Sequence, residues 1–218
     1  MNSTAAQGYS REQVSGGYLV ALIAIFVVVL AWSAINPHDY FTWFLEVIPA
    51  ILGVGILGAV YPWFRFTRLI YTLVLLHCIV LIVGGHYTYA EVPLFNWIRD
   101  TFGHARNNYD KVGHFAQGFI PAMIAREVLL RKTPLKRGGW LYLIVVGLCL
   151  GISALYELFE WAVAAATGTA ADAFLGSQGD PWDTQKDMAT CMIGAAIAPL
   201  LLGRIHNKQL RRAGVPID

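Results

Sequence analysis

The sequence is poor in charged residues, which make up only 14% of its 218 positions. Soluble domains usually carry about 25%, so most of this chain's surface does not need to meet water. Hydrophobic residues account for 56%, and the mean hydropathy is +0.52. The formal net charge of +2 is too small to indicate nucleic acid as a partner. The composition therefore predicts an integral membrane protein that contacts membrane lipids and not nucleic acid.

Cysteine is also scarce, and Cys78, Cys149 and Cys191 each stand singly within an apolar run. This spacing provides neither a disulfide framework nor a cluster of thiolate ligands. The sequence also lacks a phosphate-binding glycine loop, a nucleophile signature and a nucleotide-cofactor fingerprint. Any chemistry must therefore come from the few polar residues that interrupt the apolar pattern.

Long apolar runs dominate what is present. A helix needs roughly 20 apolar residues to cross the ~30 Å hydrocarbon core, and the chain has room for six such helices. The first run lacks a small-x-small cleavage site, so we expect a retained helix and not a cleaved signal peptide. We predict an all-α polytopic bundle that forms a single membrane domain over 1–218, with spans at about 18–35, 43–61, 69–84, 112–130, 140–166 and 187–202.

Basic residues divide unevenly between the two ends of such a bundle. Twelve belong to the N-terminal tail, the turn after the second span, the fourth-to-fifth connection with its flanks, and the C-terminal tail. Only four belong to the other end. The positive-inside rule then predicts that both termini, with short tails at about 1–17 and 204–218, are cytoplasmic. The polar segment 90–111 falls at the outer end and is a candidate for an interfacial segment.

Polar residues interrupt the apolar pattern at three places, all at the predicted outer end. They open the fourth span (Asp110, Lys111, His114), stand in the fifth (Glu157, Glu160) and lead into the sixth (Asp180, Asp183, Asp187). Residues three or four positions apart share a helix face. The expected pairs are Asp110 with His114, Glu157 with Glu160, and Asp183 with Asp187.

This group of acids carries more negative charge than its neighbours balance. Against Lys111 and Lys186, the six acids leave a formal charge of −4. Such a group must bind a cation, share protons or stay hydrated. Oxygen ligands with one imidazole suit Mg, Mn or Zn. The candidate metal ligands are Asp110, His114, Glu157, Glu160, Asp180, Asp183 and Asp187, and the candidate catalytic residues are Glu157, Glu160, His114 and Lys111.

A structural interpretation is available for several of these residues. Asp110 and Lys111 can be ordinary interface residues, Asp180 and Asp183 can cap a helix, and His114 can be a satisfied polar group. We expect Arg126 and Glu127, at the cytoplasmic end of the fourth span, to be paired or to extend toward the interface. We interpret Glu46 and His77 as contacts within the bundle.

Three motifs in these places resemble one family. The runs YDKVGHF at 109–115, YELFEW at 156–161 and DPWDTQKDM at 180–188 look like those of YjdF-type bacterial inner-membrane proteins. The resemblance implies a multi-pass protein of the bacterial inner membrane and attaches no reaction to it. More remotely, Asp-Lys-x-x-His-Phe followed by a helix glutamate resembles the VanZ-like membrane proteins, which are linked to glycopeptide-antibiotic tolerance. Glu160 and Asp187 stand where that pattern has Gln and Asn.

The residues leave three functions open. The first is a metal-dependent enzyme at the outer face, acting on a lipid or lipid-linked envelope substrate, with Lys111 offsetting developing negative charge. The second is a proton- or cation-coupled transporter with Glu157 and Glu160 as carriers, although no inverted repeat is evident. The third is a structural or partner-binding membrane protein whose acids pair across helices.

Overall fold

The computed structural model describes residues 14–168 and 172–217, and the regular structure in them is helical. The α-helices are α1 (Gly16–Ser33), α2 (Tyr40–Val60), α3 (Arg68–Tyr87), α4 (Pro93–Phe102), α5 (Tyr109–Lys132), α6 (Gly139–Thr167), α7 (Asp172–Leu175) and α8 (Asp183–Arg212). A 3-10 turn, Tyr89–Glu91, joins α3 to α4. The predicted all-α class is confirmed.

Local sequence explains where the first two helices begin and end. Ser15 caps α1, since its hydroxyl oxygen accepts from the backbone N–H of Tyr18 at 3.2 Å. Beyond α1, Asn36 adopts a left-handed φ of 49°, and the following proline, Pro37, cannot continue a helix. Asp39 then caps α2 by accepting from the backbone N–H of Thr42 at 2.6 Å.

We expect Asp39→Ala to lower the free energy of unfolding by about 1 kcal/mol, because an N–H at the start of α2 loses its acceptor. Hydrogen bonding from the Thr42 backbone lowers the pKa of Asp39 below its ordinary value. A group with a lowered folded-state pKa stabilises the fold above its unfolded-state pKa, and its contribution disappears as pH falls through the folded-state value. Denaturant titration in detergent should therefore show the full difference at pH 7 and a shrinking one only below about pH 4. A difference already lost at pH 6 would contradict this assignment.

Within the described residues, five helices are long and apolar enough to cross a membrane, namely α1, α2, α3, α6 and α8. The predicted fourth span corresponds to α5, which has 24 residues and is about 36 Å long at 1.5 Å per residue. Because α5 contains several polar and charged residues, it is not apolar enough to be counted with those five helices. The structure therefore supports five candidate spans on composition and one further helix of membrane-spanning length.

The helix ends differ from the predicted ones most at the C-terminal side. α8 continues to Arg212, although the hydropathy falls near 202 and residues from 204 were expected to form a tail. His206 and Leu210 are fully buried against the bundle, and the exposed Lys and Arg residues around them are good helix formers. Tertiary packing therefore extends this helix beyond its apolar stretch.

α5 lies at the centre of the bundle. It packs against α3, α6 and α8, while α1 and α2 pack on the other side of α3. The contact between α5 and α8 is the closest, because Gly118 meets the backbone carbonyl of Cys191 and Gly194 meets that of Phe115. Small residues at such crossings let helix backbones approach each other in membranes. This approach fixes the beginning of α5 beside the beginning of α8.

The lipid-facing character of the bundle is visible in its exposed side chains. Large apolar residues are exposed on each of the five candidate spans, namely Val28, Ile56, Leu76, Leu155 and Leu200. Contiguous exposed apolar surface of this kind marks a membrane or protein contact. The polar residues are turned inward, toward α5.

Candidate functional site

The predicted polar groups meet at one end of the bundle, here called the carboxylate end, where α5 and α8 begin and α6 ends. α5 contributes Asp110, Lys111 and His114 from its first turns, and α8 contributes Asp183 and Asp187. α6 contributes Glu157 and Glu160. The convergence that the topology predicted is therefore present.

Lys111 binds three aspartates at once. Its Nζ lies 2.6 Å from Oδ1 of Asp183, 2.7 Å from Oδ1 of Asp187 and 3.2 Å from Oδ2 of Asp110. All three carboxylates are buried. Because buried charges are tolerated only when they are paired and hydrogen-bonded, this contact holds α5 and α8 in one register.

Arg106, in the connection before α5, is a second cation in this group. It donates to the carboxylate of Asp110 and, at 2.5 Å, to Oδ1 of Asp183. It also donates to the backbone carbonyls of Gly176 and Ser177, each at 3.1 Å. Burial alone would lower the pKa of Arg106, but the hydrogen bond to Asp183 and the nearby negative charges raise it above its ordinary value. Arg106 therefore ties the segment after α7 to both α5 and α8.

Asp180 lies at the edge of this group. Its carboxylate accepts from Nζ of Lys186 at 2.5 Å and from the backbone N–H of Trp182 at 3.0 Å. These hydrogen bonds lower the pKa of Asp180 below its usual range. Asp180 is thus engaged in an ion pair at the surface and is not among the acids whose ligand atoms converge.

Two sets of three side chains bring ligand atoms within 4.8 Å of one another. The first, Asp110 with Asp183 and Asp187, already surrounds the ammonium group of Lys111. The second consists of His114, Glu157 and Asp187. In the contacts described above, Lys111 binds only Asp187 of the second set, so this set is the better candidate for a metal ion.

His114 is oriented by its neighbour Gln117. Nδ1 of His114 lies 3.1 Å from Oε1 of Gln117, and with the amide in this orientation Nδ1 carries the proton. Nε2 then presents its lone pair 3.6 Å from Oδ1 of Asp187. Oδ1 of Asp187 also accepts from Lys111 at 2.7 Å, and a proton or a cation between the two facing atoms would satisfy the lone pair of Nε2 as well.

Glu157 supplies another unsatisfied acceptor in the same place. It is only 8% exposed, and its Oε1 has no hydrogen-bond partner among the described residues. That oxygen lies 3.9 Å from Nδ1 of His114. A buried carboxylate oxygen without a donor is costly to the fold, so the arrangement favours an additional positively charged species.

A cavity of about 220 Å³ adjoins these residues. Its wall includes His114 and Asp187 together with Glu46, His77 and Glu160. Nε2 of His77 is buried and has no hydrogen-bond partner among the described residues. Glu46 and His77, which we had interpreted as simple interhelical contacts, therefore border the same cavity as the predicted site.

Asp183 and Asp187 meet at Lys111 as predicted, whereas the other two predicted pairs make different contacts. Asp110 bonds to Arg106 and Lys111 rather than to His114, because the basic groups offer charged donors. Glu157 and Glu160 separate: Glu157 faces His114, and Glu160 lines the cavity. Arg106 was not anticipated as a partner, and it reduces the formal excess from four negative charges to three. Its spacing of four residues before Asp110 was the available sequence signal.

The opposite end of the bundle, here called the arginine end, holds a separate network around Glu127. This fully buried carboxylate accepts from Arg131 at 2.6 Å, from His206 at 2.9 Å and from the hydroxyl of Thr67 at 2.7 Å. Nη1 of Arg126 lies 2.8 Å from the other ring nitrogen of His206. The interpretation of Arg126 and Glu127 as paired residues is confirmed.

An all-α bundle with lipid-facing apolar helices and an inward polar cluster defines a polytopic membrane protein. Residues 18–208 match the family described as "Predicted membrane protein (DUF2238)", and the chain belongs to that family. It is also 46% identical over 188 residues to inner membrane protein YjdF of Escherichia coli (strain K12), covering 86% of this chain and 90% of that protein. No solved structure matches the chain.

These comparisons confirm the resemblance to YjdF-type proteins and a multi-pass location in the inner membrane. The remote resemblance to VanZ-like proteins stays a prediction.

Proposed function

We propose that this protein binds a divalent cation at its carboxylate end and acts there as an enzyme on a lipid or lipid-linked envelope substrate. The observation that carries the proposal is the convergence of His114, Glu157 and Asp187 from three helices, with a buried Glu157 oxygen that lacks a donor. An imidazole with two carboxylates is a ligand set suited to Zn or Mn. Mg remains a third possibility because it also binds carboxylates.

The spacing of these ligands supports a metal ion. Two ligands about 2.1 Å from a tetrahedral ion stand roughly 3.4 Å apart. Nε2 of His114 and Oδ1 of Asp187 are 3.6 Å apart, close to that separation. Glu157 completes a set of three side chains whose ligand atoms all lie within 4.8 Å of one another. Gln117 holds the imidazole in the tautomer that leaves Nε2 available.

The residues around the cavity suggest how a reaction is supported. A bound divalent cation would supply Lewis-acid activation of water or of a phosphoryl or acyl oxygen. Lys111, beside Asp187, is placed to stabilise negative charge that develops on the substrate. Glu160, which also lines the cavity, would accept or return a proton.

The orientation of the bundle supports action at the outer face. We infer that α5 is the sixth span, since it is long enough and its polar side chains are covered by α3, α6 and α8. Six spans put both termini on one side. Because twelve of the sixteen basic residues belong to that side, the positive-inside rule makes it the cytoplasm. The carboxylate end then faces outward.

An amphiphilic substrate suits the surroundings of the carboxylate end. α4 has no buried residue and exposes Leu94, Trp97 and Phe102, which is typical of a helix that lies in the membrane interface. Trp161 follows Glu160 in the sequence and Trp182 precedes Asp183, and both tryptophans are exposed. Tryptophan side chains prefer the level of the lipid headgroups. A lipid with its headgroup at this level is within reach of the cavity.

The cavity also favours coupled transport as a second candidate, since Glu46, His77 and Glu160 are protonatable and border it. A transport path must continue to the arginine end. Between the two polar networks, however, the α5–α8 contact is made by buried Ala122, Met123, Ala195 and Ala198. This apolar layer disfavours a continuous path, so we rank transport second.

The test is the metal content of the detergent-purified protein, measured after incubation with Zn, Mn or Mg and removal of free ion. We expect near-stoichiometric metal in the wild type and at least a roughly tenfold loss of affinity in Glu157→Gln and in Glu157→Gln/Asp187→Asn. Glu157→Gln is the sharper variant because it leaves the Lys111 contacts intact.

The control is Glu91→Gln/Asp100→Asn, which makes the same chemical changes in two exposed acids between α3 and α5. It should bind metal as the wild type does. No metal in the wild type with any of the three ions would rule out the metalloenzyme and move transport to first place. Equal loss in the control would show that binding is nonspecific.

A further inference from the structure

A cavity of about 190 Å³ opens at the arginine end, away from the proposed metal site. Four arginines from three parts of the chain line it: Arg65 and Arg68 from the connection into α3, Arg131 from the end of α5, and Arg212 from the end of α8. Among the described residues that line this cavity, none carries a negative charge. Four cations thus surround one small space.

Several of these arginines are held in place by other contacts. Arg131 donates to Glu127 at 2.6 Å and to the backbone carbonyl of Arg65 at 2.7 Å. Its guanidinium also lies 3.9 Å from the ring centroid of Phe64. Arg68 stacks over the ring of Tyr18 at 4.7 Å. These contacts preorganise the group before any ligand arrives, which lowers the entropy lost on binding.

The identity of the four residues is informative. The positive-inside rule counts lysine and arginine together, so it does not by itself explain why arginine is used here. Here all four cations around the cavity are arginine, whose planar fork of donors matches the oxygens of a phosphate group. Trp63, which also lines the cavity, is 79% exposed, as expected for a ring at the lipid headgroup level.

We infer that this cavity binds a phosphate group, in the headgroup of an anionic phospholipid or in a soluble phosphate compound. Arg65, Arg68, Arg131 and Arg212 are the ligands. Basic pockets between transmembrane helices at the cytoplasmic side recognise anionic headgroups by this chemistry. The site is independent of the proposed enzyme function, because it shares no residue with the carboxylate end.

The experiment measures thermal unfolding of the full chain in neutral detergent, with added phosphatidylglycerol, phosphatidylcholine or inorganic phosphate. We expect phosphatidylglycerol to raise Tm in the wild type, with phosphatidylcholine giving little change. Arg68→Gln/Arg212→Gln should raise the half-saturating phosphatidylglycerol concentration about tenfold. The readout is the ligand-induced change in Tm, so a lower starting Tm in the variant does not obscure it.

The matched control is Arg204→Gln/Arg211→Gln, which removes two exposed arginines from the same part of α8 outside the cavity. It should retain the wild-type response. A response to inorganic phosphate equal to that for phosphatidylglycerol would identify a soluble phosphate compound as the ligand and uphold the site. No response to either anion, or equal loss in the control, would overturn it.

Discussion

Gly118→Ala is expected to destabilise the protein by about 3 kcal/mol or more, because the added methyl group has no space. A Cβ atom at this position would overlap the carbonyl oxygen of Cys191 and would lie 2.9 Å from the backbone nitrogen of Ala195. Both obstacles are backbone atoms of α8, which cannot rotate away. Accommodation therefore requires that α5 and α8 move apart, and Lys111 would separate from Asp183 and Asp187.

The same substitution at Gly203 provides the control. Gly203 lies in α8 and is buried, as Gly118 is in α5, but an added Cβ at Gly203 would meet no heavy atom within 4 Å. Since alanine favours a helix by up to about 1 kcal/mol over glycine, Gly203→Ala should be neutral or stabilising. Denaturant titration in mixed micelles, with metal content measured alongside, distinguishes the two. Similar stabilities for both variants would show that the close approach of α5 and α8 does not hold the site together.

Hydropathy was sufficient to predict the six long helices, but not the short helices α4 and α7 or all of the helix ends. The apolar runs require helices because lipid leaves no other partner for backbone N–H and carbonyl groups. Beyond 202, α8 continues because His206 and Leu210 pack into the bundle, and this depends on α5, a distant part of the chain. A local pattern contains no information about such a partner.

Topology predicted much of the carboxylate end. Once the spans alternate in direction, the beginnings of α5 and α8 and the end of α6 must lie on one side, and Lys111 does meet Asp183 and Asp187 there. The alternating direction of the spans does not determine which helices pack side by side in the bundle. For that reason Glu46 and His77, on α2 and α3, could not be assigned to the cavity beside His114 from the sequence.

The two polar networks have different characters, which bears on function. Around Glu127 each acceptor has a donor, and both ring nitrogens of His206 are engaged. At the carboxylate end, by contrast, an oxygen of Glu157 and a nitrogen of His77 are buried and have no hydrogen-bond partner in the part of the chain that the structure describes. Fully satisfied networks serve structure, whereas unsatisfied buried groups beside a cavity are typical of binding sites. The contrast favours the carboxylate end as the functional one.

Arg106→Ala is expected to lower the free energy of unfolding by about 3–5 kcal/mol, as for other buried ion pairs that lose one partner. The Arg106 side chain is only 12% exposed and contacts Asp110 and Asp183, whose side chains are each 9% exposed. Removing it leaves two buried carboxylates with Lys111 as their remaining basic neighbour. It also removes the donors to Gly176 and Ser177, so the segment after α7 keeps only the hydrogen bonds between Gln178 and Asn107 as its described link to the residues before α5.

A double-mutant cycle separates loss of the ion pair from loss of the side chain. Arg106→Gln/Asp183→Asn leaves neither charge unpaired and should recover part of the stability lost in Arg106→Gln alone. Arg99→Ala is the matched control, since Arg99 forms its ion pair with Asp100 at the exposed surface, and its unfolding midpoint should stay at the wild-type value. Additive effects of Arg106→Gln and Asp183→Asn would mean that the two charges do not depend on each other. The position of Arg106 would then matter only for packing, and the carboxylates of α5 and α8 would have to be stabilised by Lys111 or by a bound cation.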